Sequence, residues 1–289
     1  MLLEVLPSEQ AKTEDMPMDF EIHYTKEQQL FRTNLRTWLD DNSPKDLDIP
    51  SDGSPLDRET QDRLKEFRCK LGAQGLLVPS WPKEWGGADL SPALEEVFME
   101  EFGRLHLPAI GNNQRWLPAM MVWGTPEQKQ RYVPPTLRGE TITWQLFAEA
   151  ETGNDLAATK TQAIRDGDHW LIRGQKDFIT GRFDPDYLWT LAITDVTRPP
   201  RLNLGVFMID AHLPGITIKT QSLVMGSERH VFLDVRVPVD SLVGDPFQGW
   251  EIAQTTMATE RGGRMARSSE EATIESLHQY LREQGKSHL

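Results

Sequence analysis

The chain has 289 residues, room for about two domains, and carries 31 Lys+Arg against 44 Asp+Glu, a net charge of −13. So acidic a chain is a poor match for nucleic-acid phosphates and for anionic membranes. Its 38% apolar content, with 21 glycines besides, is enough to bury a core, and its single cysteine excludes an intrachain disulfide or a Cys-based zinc site.

Residues 1–17 are polar, hold two prolines and keep no sustained period; they read as a tail. Glu4 and Glu9 and the lack of a basic start argue against a signal peptide. No run approaches the roughly 18 apolar residues of a membrane span. One cysteine fits a reducing compartment, and a cytoplasmic location is expected.

Thr25-Lys26-Glu27-Gln28 is a capping box, in which hydroxyl and amide each satisfy the other's free N–H. Leu30, Phe31, Leu35, Trp38 and Leu39 follow at helical spacing. Residues 41–61 are rich in Asp, Ser and Pro and predict a loop. Leu64, Phe67 and Leu71 predict a second helix ending near Gly72 and Gly75. After a loop over 79–89, Ser91-Pro92 opens a third helix, with serine as cap and proline in the first turn. Leu94, Val97 and Phe98 form its stripe. Its Glu95-Glu96 and Glu100-Glu101 read as a solvated face. Thr125-Pro126-Glu127-Gln128 is a second capping box, and Pro134-Pro135 is expected to end that helix.

Beyond Gly139 the period changes to two. Thr159–Ile164, a turn at Asp166-Gly167-Asp168 and Trp170–Ile172 predict a hairpin. Leu188–Thr194, Gly205–Ile209, Ile216–Thr220 and Val231–Val237 are further strands. Short strands at this spacing predict a small antiparallel β-barrel or sandwich. After Gln248 the pattern is helical again, and Ile274, Leu277, His278 and Leu281 share a face. One helical segment cannot cover its own apolar stripe, so this one is expected to pack against other helices or another chain. The expected class is α+β. Its expected division is a tail (1–17), an N-terminal helical domain (18–140), a middle β-domain (141–247) and the start of a C-terminal helical bundle (248–289).

Generic motifs are absent: there is no Gly-x-Gly-x-x-Gly, P-loop or Gly-x-Ser-x-Gly. None of the seven histidines has the i, i+4 partner of a metal site. Cys69 beside a helix stripe reads as a small buried or half-buried residue, not a nucleophile.

More specific runs occur in order. Leu77 to Gly87 reads LVPSWPKEWGG, Gly124 to Lys129 reads GTPEQK, and Thr143 to Glu149 reads TWQLFAE. Gly174 to Thr180 reads GQKDFIT, and Asp234 to Pro238 reads DVRVP. Gln248-Gly249-Trp250 is followed by Glu260-Arg261-Gly262-Gly263. In order and spacing, over about Met18 to Arg282, the chain resembles the acyl-CoA dehydrogenase family. The resemblance implies an N-terminal helical domain, a middle β-domain and a four-helix C-terminal domain, of which only the first helix has a counterpart here. It also implies bound FAD and α,β-dehydrogenation of an acyl-CoA thioester, with a carboxylate taking the α-proton while hydride leaves the β-carbon for the flavin. Electrons would then pass to an electron-transfer flavoprotein or another acceptor such as oxygen.

In a minority of the family the base lies on the first helix of the last domain, directly before an arginine. Glu260-Arg261 matches, which makes Glu260 the candidate base and Arg261 a substrate-pocket residue. A plainer reading of Glu260 is an exposed i, i+4 pair with Arg264. The resemblance places flavin contacts at Gln145, Leu146, Phe147, Ala148, Asn154, Phe178, Ile179 and Thr180, with Asn154 also near substrate. The chain departs from the usual Ser/Thr-Glu-Pro-Gly-x-Gly-Ser-Asp loop at Ala148, Glu151 and Asn154. Phe178 stands where Trp is usual, and Gly181 where Asn or Ser is usual. These departures keep a second expectation open: a non-catalytic, dehydrogenase-like subunit, or half of a split enzyme. Either way a homo- or hetero-oligomer is expected.

Overall fold

A computed structural model describes residues 24–47, 49–50, 56–107, 110–111, 114–179, 181–223 and 227–262, of which 259–262 are described by backbone alone. The tail over 1–17, Thr180 and the stripe Ile274, Leu277, His278 and Leu281 lie outside the described residues.

The N-terminal part is helical. α1 (Lys26–Asn42) starts at the anticipated box: the Gln28 N–H donates to Thr25 Oγ1 at 3.2 Å, and the Thr25 N–H donates to Gln28 Oε1 at 2.8 Å. α2 (Arg58–Ala73) buries Leu64, Phe67 and Leu71, and Gly75 follows it with φ of +70°. α3 (Pro92–Gly103) begins at Ser91. Trp38, Phe67 and Phe102 stack in sequence across these three helices, with ring centroids 6.4 and 6.3 Å apart. Leu30 falls off the predicted stripe and is 64% exposed.

The acidic face of α3 is not solvated along its length. α1 lies against it, and Glu101 is buried. Arg36 Nη2 reaches Glu101 Oε1 at 2.6 Å and Arg104 Nε reaches Oε2 at 3.3 Å. Glu100 accepts from Tyr24 Oη and pairs with Arg32. Glu100 and Glu101 are the polar half of a helix–helix contact, whereas Glu96 is exposed as expected.

A short helix, α4 (Leu117–Trp123), has no counterpart among the predicted elements. α5 (Pro126–Leu137) runs through Pro134 and Pro135 instead of ending there. Both prolines lie in the last turn, where their carbonyls still accept, from the Arg138 and Glu140 N–H groups at 3.0 and 2.9 Å. The Thr136 hydroxyl donates to the Tyr132 carbonyl at 2.9 Å. The helix loses donors, but its last acceptors remain engaged.

The strands are β1 (Thr143–Leu146), β2 (Gln162–Asp166), β3 (His169–Ile179), β4 (Tyr187–Ile193), β5 (Leu204–Asp210), β6 (Ile216–Ser222), β7 (Ser227–Pro238) and β8 (Leu242–Val243). They form one eight-stranded sheet in the order β6-β7-β3-β2-β4-β5-β8, with β1 also on β4. The expected helical and β parts are found, and β3 and β7 share a core with β4 and β5, but the sheet does not close into a barrel. It is also mixed, because β1 and β2 both run parallel to β4. Closure fails at β8, which holds only Val206↔Val243 and Phe207↔Leu242 before the chain leaves for α6 (Gly249–Gly262).

β4 and β5 separate two cores. Leu188, Ala192, Phe207 and Ile209 join the core shared with α1–α3, β3 and β7. Trp189, Leu191, Leu204, Val206 and Met208 join the core under α4, α5 and α6. Period-2 alternation sends successive side chains to opposite faces. With both faces covered, both strands read as nearly continuous apolar runs. α6 seats Ile252, Ala253 and Thr256 against this second core.

Candidate functional site

Two of the runs singled out in the sequence, TWQLFAE and GQKDFIT, meet where β1 and β3 end, and α6 passes beside Gln145. Leu146 and Phe147 are buried, while Gln145 and Ala148 are half-buried. Gln145 Nε2 lies 3.8 Å from Met257 Sδ on α6. Beyond Phe147, the loop over 148–153 is tied to β3 by two neighbouring side chains that leave the strand on opposite faces.

The inner one is Lys176, fully buried. Its Nζ donates to Glu149 Oε1 at 2.8 Å and to the Phe147 carbonyl at 3.3 Å. Glu149 also accepts from the Lys160 N–H, the Thr161 N–H and the Thr161 hydroxyl at 2.7, 3.0 and 2.7 Å. Burial pushes the lysine down to about 8 against the pull of the Glu149 carboxylate. Burial also opposes ionisation of Glu149, but Lys176 and the Thr161 and Lys160 donors outweigh it and hold the carboxyl below its usual range.

The outer one is Asp177. Its N–H donates to the Ala148 carbonyl at 3.0 Å, and its Oδ2 accepts from the Ala150 N–H at 2.8 Å. Gln175 Nε2 and His230 Nδ1 both reach its Oδ1 at 2.6 Å. Burial opposes the charge, but the His230, Gln175 and Ala150 hydrogen bonds prevail and keep this carboxyl low.

Next along β3, Phe178 has φ of +62°, unusual for a side chain with a Cβ. The pairing of β3 with β7 slips between Lys176 and Ile179, so the strand bulges there. Asp177 and Ile179 are buried, yet the Phe178 ring is 49% exposed. A bulge that turns one aromatic outward between two buried neighbours presents a flat apolar surface beside residues 145–148. That surface fits a planar, partly apolar ring such as a flavin.

The structure brings Gln145, Leu146, Phe147, Ala148, Phe178 and Ile179 together. Asn154 is exposed on the same loop, beyond Gly153. The backbone of Glu260 and Arg261 lies in the last turn of α6; their side chains lie outside the description. Two departures have plain structural accounts. Glu151 is exposed and pairs with Lys160, so its charge is solvated. At Gly181 a Cβ would stand 2.4 Å from Trp144 Nε1, so the indole occupies the room a side chain would need.

The buried Glu149–Lys176 pair and the Asp177–His230 contact are not among the contacts that the sequence singles out. Two adjacent charged residues inside a strand carry no periodic signature of burial. Glu149, Lys176 and Asp177 lie within the quoted runs TWQLFAE and GQKDFIT, but nothing in those runs marks them as paired.

Two family models match the chain: acyl-CoA dehydrogenase N-terminal domain over residues 25–140, and acyl-CoA dehydrogenase middle domain over 145–237. The chain belongs to the acyl-CoA dehydrogenase family. Acyl-CoA dehydrogenase FadE29 of Mycobacterium tuberculosis is 31% identical over 246 residues, covering 83% of this chain and 62% of that protein. Among solved structures, a variant of the Tcur3481-Tcur3483 steroid ACAD superposes with a TM-score of 0.78 at 28% identity, covering 90% of this chain and 68% of that one. The ChsE4-ChsE5 complex of Mycobacterium tuberculosis matches with a TM-score of 0.66 at 26% identity, covering 82% and 61%. The chain thus spans about 62% of the length of that curated relative. Among its described residues no helix is long and apolar enough to cross a membrane, and no His/Cys/Asp/Glu cluster suits a metal ion.

Proposed function

We propose that this chain is a subunit of an FAD-dependent dehydrogenase that oxidises an acyl-CoA thioester to the enoyl-CoA. The observation that carries the reading is the outward Phe178 ring on a left-handed bulge beside the 145–148 segment, in a chain of this family. Gln145, Leu146, Phe147, Ala148, Phe178, Ile179 and Thr180 are the residues to hold the flavin ring, with Asn154 on the loop rim. Bound FAD supplies a two-electron acceptor for the hydride of the substrate β-carbon. Glu260 is the candidate base for the α-proton, and a base in that role needs a pKa near the working pH. Asn154 and Arg261 are the candidate substrate contacts. An electron-transfer flavoprotein or oxygen serves as the final acceptor, and a cytoplasmic setting suits this chemistry. The steroid in one structural relative's name makes polycyclic acyl-CoA thioesters substrates to test beside straight-chain ones.

A second reading is a subunit that acts only with a partner chain, catalytically or as a non-catalytic companion. It is supported by the 62% coverage and by a relative solved as the ChsE4-ChsE5 complex. A homo- or hetero-oligomer follows from either reading.

The test is the visible spectrum of the purified protein before and after incubation with FAD. A bound flavin band that bleaches with an acyl-CoA, and stays unbleached in Glu260→Gln, is the expected result. No flavin under either condition removes the single-chain enzyme and leaves the partner-dependent subunit.

A further inference from the structure

The side of the sheet that carries Asp177 holds an open cavity of about 410 Å³ lined by Gln175, Lys219, Thr220, Gln221, His230 and Phe232. His230 lies on β7, one strand away from β3. Its Nδ1 faces Asp177 Oδ1 at 2.6 Å. Its Nε2 faces Gln221 Oε1 at 3.0 Å and Glu228 Oε1 at 3.3 Å. A carboxylate only accepts, so the Nδ1 atom carries the proton and donates it.

Asp177 joins this ring to the loop. One carboxylate oxygen takes the His230 and Gln175 donors, and the other takes the Ala150 N–H. Its own N–H holds the Ala148 carbonyl, so residue 177 grips the loop on both sides of Glu149. The next residue is Phe178, at φ of +62°. Left-handed backbone at a residue with a Cβ persists only when its surroundings over-determine it. Lys176 just before the bulge and Asp177 within it, each tied to the 147–150 segment, provide that constraint.

We infer that His230 and Asp177 are positioning residues for the flavin face: the Nδ1–carboxylate contact fixes Asp177, and Asp177 fixes both the 148–150 backbone and the outward Phe178 ring. This rests on the flavin reading above. Their hydrogen bonds run to each other and to Ala148 and Ala150, so both act through that backbone and Phe178.

Two conservative variants separate the atoms. In His230→Asn the amide nitrogen sits near the place of Nδ1 and keeps a donor toward Asp177. In His230→Gln it extends toward the place of Nε2 and leaves Asp177 without that donor. Both are purified in the full chain and titrated with FAD. The readouts are the dissociation constant and the visible circular dichroism of the saturated complex. The expected result is about tenfold weaker binding for His230→Gln, the scale of one hydrogen bond to a charged group. Its saturated spectrum should also be altered, while His230→Asn stays close to the unsubstituted protein. A merely structural role lowers the folded fraction but leaves the spectrum of the saturated complex unchanged. Wild-type affinity and spectrum in both variants overturns the inference, and so does an equal loss in both. Failure of the unsubstituted chain to bind FAD overturns the flavin reading instead, before either variant is compared.

Discussion

Lys176 and Glu149 show how much a single buried contact decides. The lysine is fully enclosed, and its carboxylate partner is the strongest acceptor within reach. Removing one member leaves the other charged and desolvated, which costs about 3–5 kcal/mol, whereas replacing both is far less costly. Lys176→Met is therefore expected to lower the unfolding free energy by about that amount in urea denaturation. The double variant Glu149→Gln with Lys176→Met should recover part of the loss: the amide oxygen can keep the two Thr161 donors held by Oε1, while the new NH2 faces the Lys160 N–H that Oε2 accepted. A double variant as unstable as the single one contradicts this account.

At the level of elements, the two capping boxes look alike in sequence and differ in structure. Gln28 caps α1 near the surface, and besides its capping bond its Nε2 donates to the Ala93 carbonyl at 3.3 Å. Gln128 caps α5 and also donates to the Asp240 and Leu242 carbonyls at 2.8 and 2.7 Å, bracing the helix against the end of the sheet. Gln28→Ala should cost under about 1 kcal/mol, the loss of a surface cap. Gln128→Ala should cost about 2–3 kcal/mol, because two carbonyls lose their donor as well. Equal midpoint shifts in parallel urea titrations would show that the brace contributes nothing. The same contrast marks what is legible in a sequence. Caps, the α2 stripe, the Gly167 hairpin and most strands depend on near neighbours, and local pattern suffices to place them. The open sheet edge, the passage of α5 through two prolines and the buried Glu101 depend on what packs alongside, and local pattern carries no such information. The candidate site divides the same way. Phe178 is legible as an aromatic in a family run, whereas its left-handed turn follows from contacts to residues 148–150 and 230.

Across the whole molecule, three buried acids tie its layers together. Glu101 joins α3 to α1, while Glu149 and Asp177 join the loop to the sheet. The Arg36 hydrogen bond outweighs burial and lowers Glu101, and Glu149 and Asp177 are lowered for the reasons given above. A carboxyl lowered in the native state holds its proton less tightly folded than unfolded. Its stabilisation is complete above the ordinary values of 4.5 for Glu and 3.8 for Asp, and it is lost as pH falls through the native values. Lys176 acts on the opposite limb. Its native value of about 8 lies below the ordinary 10.5, so between these limits the unfolded chain holds the extra proton and this residue makes stability rise with pH. Urea midpoints measured from pH 3 to pH 10 should fall steeply on the acid side, with a shallower slope in Glu101→Gln. On the alkaline side Lys176→Met should lack the rising contribution that the unsubstituted protein shows. A midpoint unchanged between pH 6 and pH 3 would mean that these ion pairs are as well solvated unfolded as folded, and that the layers are held by apolar packing alone.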